Sequence, residues 1–279
     1  MLVKNSDLVT RYKNPWKFMA INFGWTWLCW IPAAVLSRCG WGNAATVLHF
    51  LGIGPLVAAL FLIYRTNDRS LIKDYWKRVI DFNRISCLWY GVILLTMPLL
   101  TMLSAFIDTL LGGPGLQLDM ASKMIEQPLL LIPFTVFILL FGPIPEELGW
   151  RGYALDALMN RFNALIASLI VGTFWSFWHL PLFFIEGTYH FNLGIGTFAF
   201  WKFLIYPVFG SVIITFIYMH TNRSTLAAVL FHFMGNYTGE LFQLSGRGEM
   251  IELFAMILVS LGVINIWGYK TLYKATDSA

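Results

Sequence analysis

Residues 129–151, LLLIPFTVFILLFGPIPEELGWR, pass through some of the most apolar sequence in the chain and run directly into two adjacent glutamates, Glu146 and Glu147, with Arg151 four residues after the second. The apolar part decides the class of fold, because a helix needs about 20 predominantly apolar residues to cross a bilayer. The polar part decides where chemistry is sought. An ionisable side chain in or beside hydrocarbon is costly, turns to the bundle interior or to water, and marks a functional site by default.

Working outward, the same kind of segment recurs. The 279 residues are 58% hydrophobic and only 12% charged, whereas an ordinary globular protein is about a quarter charged. Spans are expected near 16–37, 43–64, 85–107, 129–149, 163–185, 196–219, 225–243 and 250–269, so the fold class is all-α, a polytopic membrane bundle of about eight transmembrane helices. No cleavable signal peptide is read at the start, and the first span is expected to serve as the insertion signal. Residues 65–84 carry six basic and three acidic residues around Leu71, Ile72, Tyr75, Trp76, Val79 and Ile80, the pattern of a short amphipathic helix lying on the cytoplasmic surface. The segment 108–127, with Gly112-Gly113-Pro114-Gly115, is an outside loop rich in helix breakers. Three parts follow: N-terminal spans with the amphipathic segment over 1–124, a catalytic core over 125–245, and a last span with a cytoplasmic tail over 246–279.

Charge sets the orientation. With the amino terminus inside, Lys4, Arg11, Lys13, Lys17, Arg65, Arg69, Lys73, Lys77, Arg78, Arg84, Arg151, Arg161, Arg223, Lys270 and Lys274 fall on the cytoplasmic side, and only Arg38, Lys123 and Arg247 outside. That asymmetry predicts cytoplasmic termini, with the cell membrane as the expected location. The formal net charge of +4 fits basic loops against anionic lipid and gives no reason to expect nucleic acid. Cys29, Cys39 and Cys87 are odd in number and lack metal-type spacing, so they are read as packing residues.

Several polar groups in the second half of the chain are of complementary types. Glu146 can act as a general base. His179, in Trp175-Ser176-Phe177-Trp178-His179, and His232, in Phe231-His232-Phe233-Met234-Gly235-Asn236, can orient water, donate to a leaving amine or stabilise an oxyanion. Asn236 follows His232 by four residues and shares its helical face, and Arg151 stands in the same relation to Glu147. One glutamate is then held by arginine and the other is free for chemistry. A lone histidine in an apolar helix is more often a packing residue, which is the reading given to His49, and Glu186, His190, Lys202 and Glu240 are read as interfacial. The case for Glu146, His179, His232 and Asn236 rests on their occurring together. Counted from span centres, Glu146 and His179 lie toward opposite faces, farther apart than a hydrogen bond reaches, unless Pro143, Pro145 and Pro181 break the helices.

At these residues the chain resembles the CPBP family of intramembrane proteases, which includes the type II CAAX prenyl endopeptidases and the Abi-type bacteriocin-immunity proteins. The family pattern E-E-x-x-x-R, F-x-x-x-H, H-x-x-x-N is present as Glu146-Glu147 with Arg151, Trp175 with His179, and His232 with Asn236. Trp175 stands where phenylalanine is usual, an aromatic expected to keep the packing role. The resemblance implies peptide hydrolysis in the membrane, with Glu146 and His179 activating water, His232 and Asn236 forming the oxyanion hole, and Glu147 with Arg151 supporting the site. It implies a prenylated C-a-a-X terminus or another membrane-associated peptide as substrate, with membrane lipids as surroundings. Zinc ligated by Glu146, His179 and His232 is the alternative chemistry, but no H-E-x-x-H occurs and a metal-free mechanism is favoured. The alternative function is an immunity or partner-binding protein that needs no proteolysis. A proton-relay transporter would need a related glutamate or a broken helix in the other half of the chain, and neither is read there.

The orientation is checked by single cysteines in a background without the native three. A cysteine at Ser70 is expected to be shielded from an impermeant thiol reagent in intact cells and one at Ser122 to be labelled; the reverse pattern inverts the topology.

Overall fold

Long apolar runs bounded by Pro, Gly and polar caps give an all-helical chain, seen in a computed structural model that describes residues 11–273. The helices are α1 (Pro15–Arg38), α2 (Gly42–Phe50), α3 (Gly54–Tyr64), α4 (Arg69–Ile80), α5 (Cys87–Leu110), α6 (Asp119–Glu126), α7 (Leu131–Phe141), α8 (Pro143–Gly149), α9 (Leu155–Met159), α10 (Ala164–Trp178), α11 (Tyr189–Leu193), α12 (Phe198–His220), α13 (Thr225–Leu241) and α14 (Gly246–Trp267). Two two-residue strands, β1 (Leu116–Gln117) and β2 (Gln243–Leu244), pair antiparallel with Leu116 opposite Leu244. Lys4 and Lys274, both used in the charge count, lie outside the described residues.

Among the described residues six helices are long and apolar enough to cross a membrane: Pro15–Arg38, Cys87–Leu110, Pro128–Met159, Ala164–Phe184, Phe198–His220 and Gly246–Trp267. The pair α2 and α3, bent by 41°, makes a seventh if it is one broken span. The expected eighth, 225–243, is α13, which at 17 residues falls short of the about 20 a span needs. It carries His232, Asn236 and Glu240, of which His232 is partly buried and the other two are exposed.

The expected span 129–149 is too short. Helix continues from Pro128 to Met159, interrupted at Gly142 between α7 and α8 and by a π turn over Trp150–Ala154. Arg151 is therefore an interior residue of this long element, fully buried, and not a loop charge. Counted from the turn at 160–163, Glu146 lies thirteen residues before Met159 and His179 fifteen after Ala164, about 20 and 22 Å at 1.5 Å per residue. They stand level. The expected separation of Glu146 from His179 was an artefact of the shortened span.

Two glycines allow the helices around the site to touch. A Cβ on Gly149 would stand 2.4 Å from Pro55 Cβ, and one on Gly172 would stand 2.6 Å from Val208 Cα. Backbone contact of α8 with α3, and of α10 with α12, requires glycine at both positions.

The helix expected over 65–84 forms as α4, capped by the Asp68 carboxylate at the backbone N–H groups of Ser70 and Leu71. Its Leu71, Asp74, Tyr75 and Arg78 face is buried in protein, and the Tyr75 hydroxyl donates to the Leu148 carbonyl at 3.1 Å, beside the glutamates. Arg78 is fully buried, donating to Asp156 at 3.1 Å, to the hydroxyls of Tyr12 and Tyr218 at 2.5 Å each and to the Gly152 carbonyl at 2.8 Å. Arg223 pairs with the same Asp156. Buried charges persist when paired and hydrogen-bonded, and this cluster ties α4, α9, α12 and the start of α13 together. Cys39 and Cys87 are exposed and only Cys29 is partly covered, so the packing role expected of the cysteines does not hold for the first two.

Candidate active site

Four helices bring the site residues together. Asp156 on α9 meets Arg223 just before α13; nine residues further along each antiparallel element, Glu147 meets His232. That shared register places α13 against the two glutamates. α10 then presents Trp175 and His179, one helical turn apart.

The two glutamates have different partners. Glu147 and Arg151 are fully buried, and Arg151 Nη1 donates to both carboxylate oxygens, at 2.8 and 2.9 Å. Arg151 Nη2 reaches the Ser211 hydroxyl at 2.9 Å. Glu147 Oε1 also lies 3.0 Å from His232 Nδ1. A carboxylate paired to arginine only accepts, so that nitrogen carries the proton. His232 Nε2 faces Asn236 Nδ2 at 3.3 Å, with Asn236 itself exposed. Glu147 thus links Arg151 to His232, a wider role than the support expected for it.

Glu146 makes none of these contacts. Its Oε2 accepts the indole N–H of Trp175 at 2.5 Å and lies 4.0 Å from His179 Nε2. His179 Nδ1 lies 2.8 Å from the Trp175 carbonyl, which can only accept, so Nδ1 bears the proton and the neutral ring turns a bare Nε2 toward Glu146. Rings hold His179 in place: Trp178 with centroids 4.7 Å apart, Phe203 at 5.1 Å, and His190 stacked at 5.5 Å. His190, read from sequence as interfacial, belongs to this wall. Lys202 pairs with Glu249 at 3.3 Å, and His49 packs against Trp30 and Phe50 as expected.

All six expected site residues therefore form one cluster, and the hydrogen-bonding role of Trp175 is the addition. The signal was in the sequence: a buried indole needs a partner for its N–H, and Trp175 precedes His179 by one turn.

The comparisons with known proteins bear on the same region. Residues 128–238 match the family model described as "Type II CAAX prenyl endopeptidase Rce1-like". The chain is 30% identical over 267 residues to "CAAX prenyl protease 2" of Methanococcus maripaludis, covering 92% of this chain and 96% of that protein. The chain belongs to the type II CAAX prenyl endopeptidase family. It is an integral, multi-pass membrane peptidase, as its resemblance to the CPBP proteases implied, and its substrate is a peptide. The match to the family model contains every residue of the cluster and leaves out α1 to α6.

Hydrogen bonds engage Nδ1 of His232 and of His179 and leave each Nε2 unprotonated, as zinc-bound histidines also do, while Glu146 Oε2 accepts an indole N–H. Among the described residues no three His, Cys, Asp or Glu side chains gather closely enough to hold a metal ion.

Arg151→Ala leaves the Glu147 carboxylate buried without its cation, and breaking a buried pair costs about 3–5 kcal/mol. Lower yield and a lower Tm in detergent are expected together with lost activity. An inactive variant that melts like the wild type would make Arg151 a substrate-binding group instead of a support.

Proposed function

We propose that this peptidase is an endopeptidase that cuts near the carboxyl terminus of a prenylated C-a-a-X or similar membrane-associated peptide, using a water molecule held between Glu146 and His179. The single observation that carries this reading is the 4.0 Å approach of His179 Nε2 to Glu146 Oε2, with the neighbouring carboxylate occupied by arginine. The substrate class rests on the similarity to the Methanococcus maripaludis CAAX prenyl protease.

Glu146 takes one proton from the water, and the bare Nε2 of His179 accepts a hydrogen bond from the other O–H and aims the oxygen. That oxygen forms a bond to the scissile carbonyl carbon, and the carbonyl electron pair moves onto its oxygen. Asn236 donates from its amide to the oxyanion. His232 donates from Nε2 after taking a proton there from bulk water, which it gives back when the oxyanion collapses, and Glu147, already at Nδ1, stabilises the cation in between. When the tetrahedral intermediate collapses the C–N bond breaks, and the proton held by Glu146 passes to the departing amine. No step uses a metal. Domain limits of 1–124, 125–245 and 246–279 and a cell-membrane location belong to the same reading, as do cytoplasmic termini, which the distribution of lysine and arginine supports.

The test is hydrolysis of a farnesylated C-a-a-X peptide by purified protein. Glu146→Ala, His179→Ala and His232→Ala are each expected to lower turnover by roughly 100–1,000-fold or more, the scale of losing one oxyanion donor, without unfolding. A strong chelator should leave wild-type activity intact. Near-normal turnover by any variant removes that residue from the mechanism. Loss of activity on chelation with return on added zinc overturns the metal-free reading.

A further inference from the structure

Carboxylate groups at the end of a glutamate rotate easily, because the terminal torsion is broad and roughly two-fold. A base that must present one oxygen to a water needs a second group to stop that rotation. In this chain the oxygen nearest His179 is Oε2, and the same oxygen accepts the Trp175 N–H. Trp175 is 6% exposed and is the one side chain described as donating to Glu146.

The indole meets the rest of the site with other parts of itself. Its face carries the Arg151 guanidinium, 4.9 Å from the ring centroid, and His232 packs on it edge to face with centroids 5.0 Å apart. The backbone carbonyl of Trp175 fixes the tautomer of His179 through Nδ1. An N–H lies in the plane of its ring, whereas a cation over the ring lies along the normal. Glu146 and Arg151 are therefore held on different sides of one rigid plate, and the arginine is left to Glu147. The cation over the ring also draws density from it, which strengthens the N–H as a donor. Phenylalanine, the residue of the family pattern at this place, has a face for Arg151 and His232 but nothing for Glu146.

We propose that Trp175 is a positioning residue of this peptidase, its indole N–H locking the Glu146 carboxylate with Oε2 toward His179 while its ring face keeps Arg151 on Glu147. The inference rests on Glu146 being the base, as proposed above. Trp175 acts through Glu146. Its loss therefore acts on the chemical step and leaves substrate binding alone.

The experiment is steady-state hydrolysis of the farnesylated C-a-a-X peptide by W175F, which keeps a ring and removes the donor. A second variant carries benzothienylalanine at position 175, the shape of tryptophan with sulfur replacing N–H. Both are expected to lose about 10- to 100-fold in kcat, the weight of one hydrogen bond to a charged group, with KM within about twofold of wild type. If W175F does not fold, the benzothienylalanine variant decides. Wild-type kcat in the folded variant, or a loss confined to KM, overturns the role of Trp175. Glu146→Ala, run in parallel, separates the two readings. An active Glu146→Ala overturns the base assignment beneath this proposal, whereas an inactive one beside a fully active W175F overturns only the role of the tryptophan.

Discussion

A fully buried ion pair between Glu147 and Arg151 is the constraint around which the site is arranged. Neither charge is tolerable alone in an apolar bundle, so each fixes the other and their neighbours follow. Arginine held on Glu147 is anchored to Ser211 on α12 and lies over Trp175 on α10. Glutamate held on arginine accepts from His232 on α13. One turn of helix thus dictates the positions of three others, and the second carboxylate, Glu146, is left without a cation and open to chemistry.

Helix packing brings these groups level. Where α8 meets α3 and α10 meets α12, Gly149 and Gly172 let backbones touch. The cluster of Arg78, Asp156, Tyr218 and Arg223 locks the far end of the same helices. From Asp156 and Arg223, nine residues along each antiparallel element lead to Glu147 and His232, so the ionic lock and the site share one register. A displacement at the lock of one helical turn, about 5.4 Å, would carry His232 past its carboxylate.

Much of this was legible in the sequence for identifiable reasons. The apolar runs reported the bundle because bilayer thickness sets their length, and i, i+4 spacing reported both the Glu147 with Arg151 pair and the His232 with Asn236 pair. What failed was depth. The span was read as ending at 149, but helix continues to Met159, and the shortened span shifted Glu146 away from His179 in the linear reading. Contacts between helices were also out of reach: that Glu147 serves His232, that His190 stacks on His179, and that one face of the amphipathic α4 packs on the site-bearing helix all depend on tertiary register. Trp175 lies between these cases. Its identity was visible, but its hydrogen bond needed Glu146 to be brought opposite it.

Unequal roles for two adjacent carboxylates are the central claim, and a side-by-side measurement of Tm and turnover for Glu146→Gln and Glu147→Gln tests it most directly. Glu146→Gln is expected to melt at or above the wild-type temperature and to bind the farnesylated peptide without cutting it, because it removes a base and no ion pair. Glu147→Gln is expected to melt lower, since Arg151 loses its counter-charge and His232 its carboxylate. Equal melting temperatures with equal residual turnover, or a Glu146→Gln protein that still cuts, would contradict it.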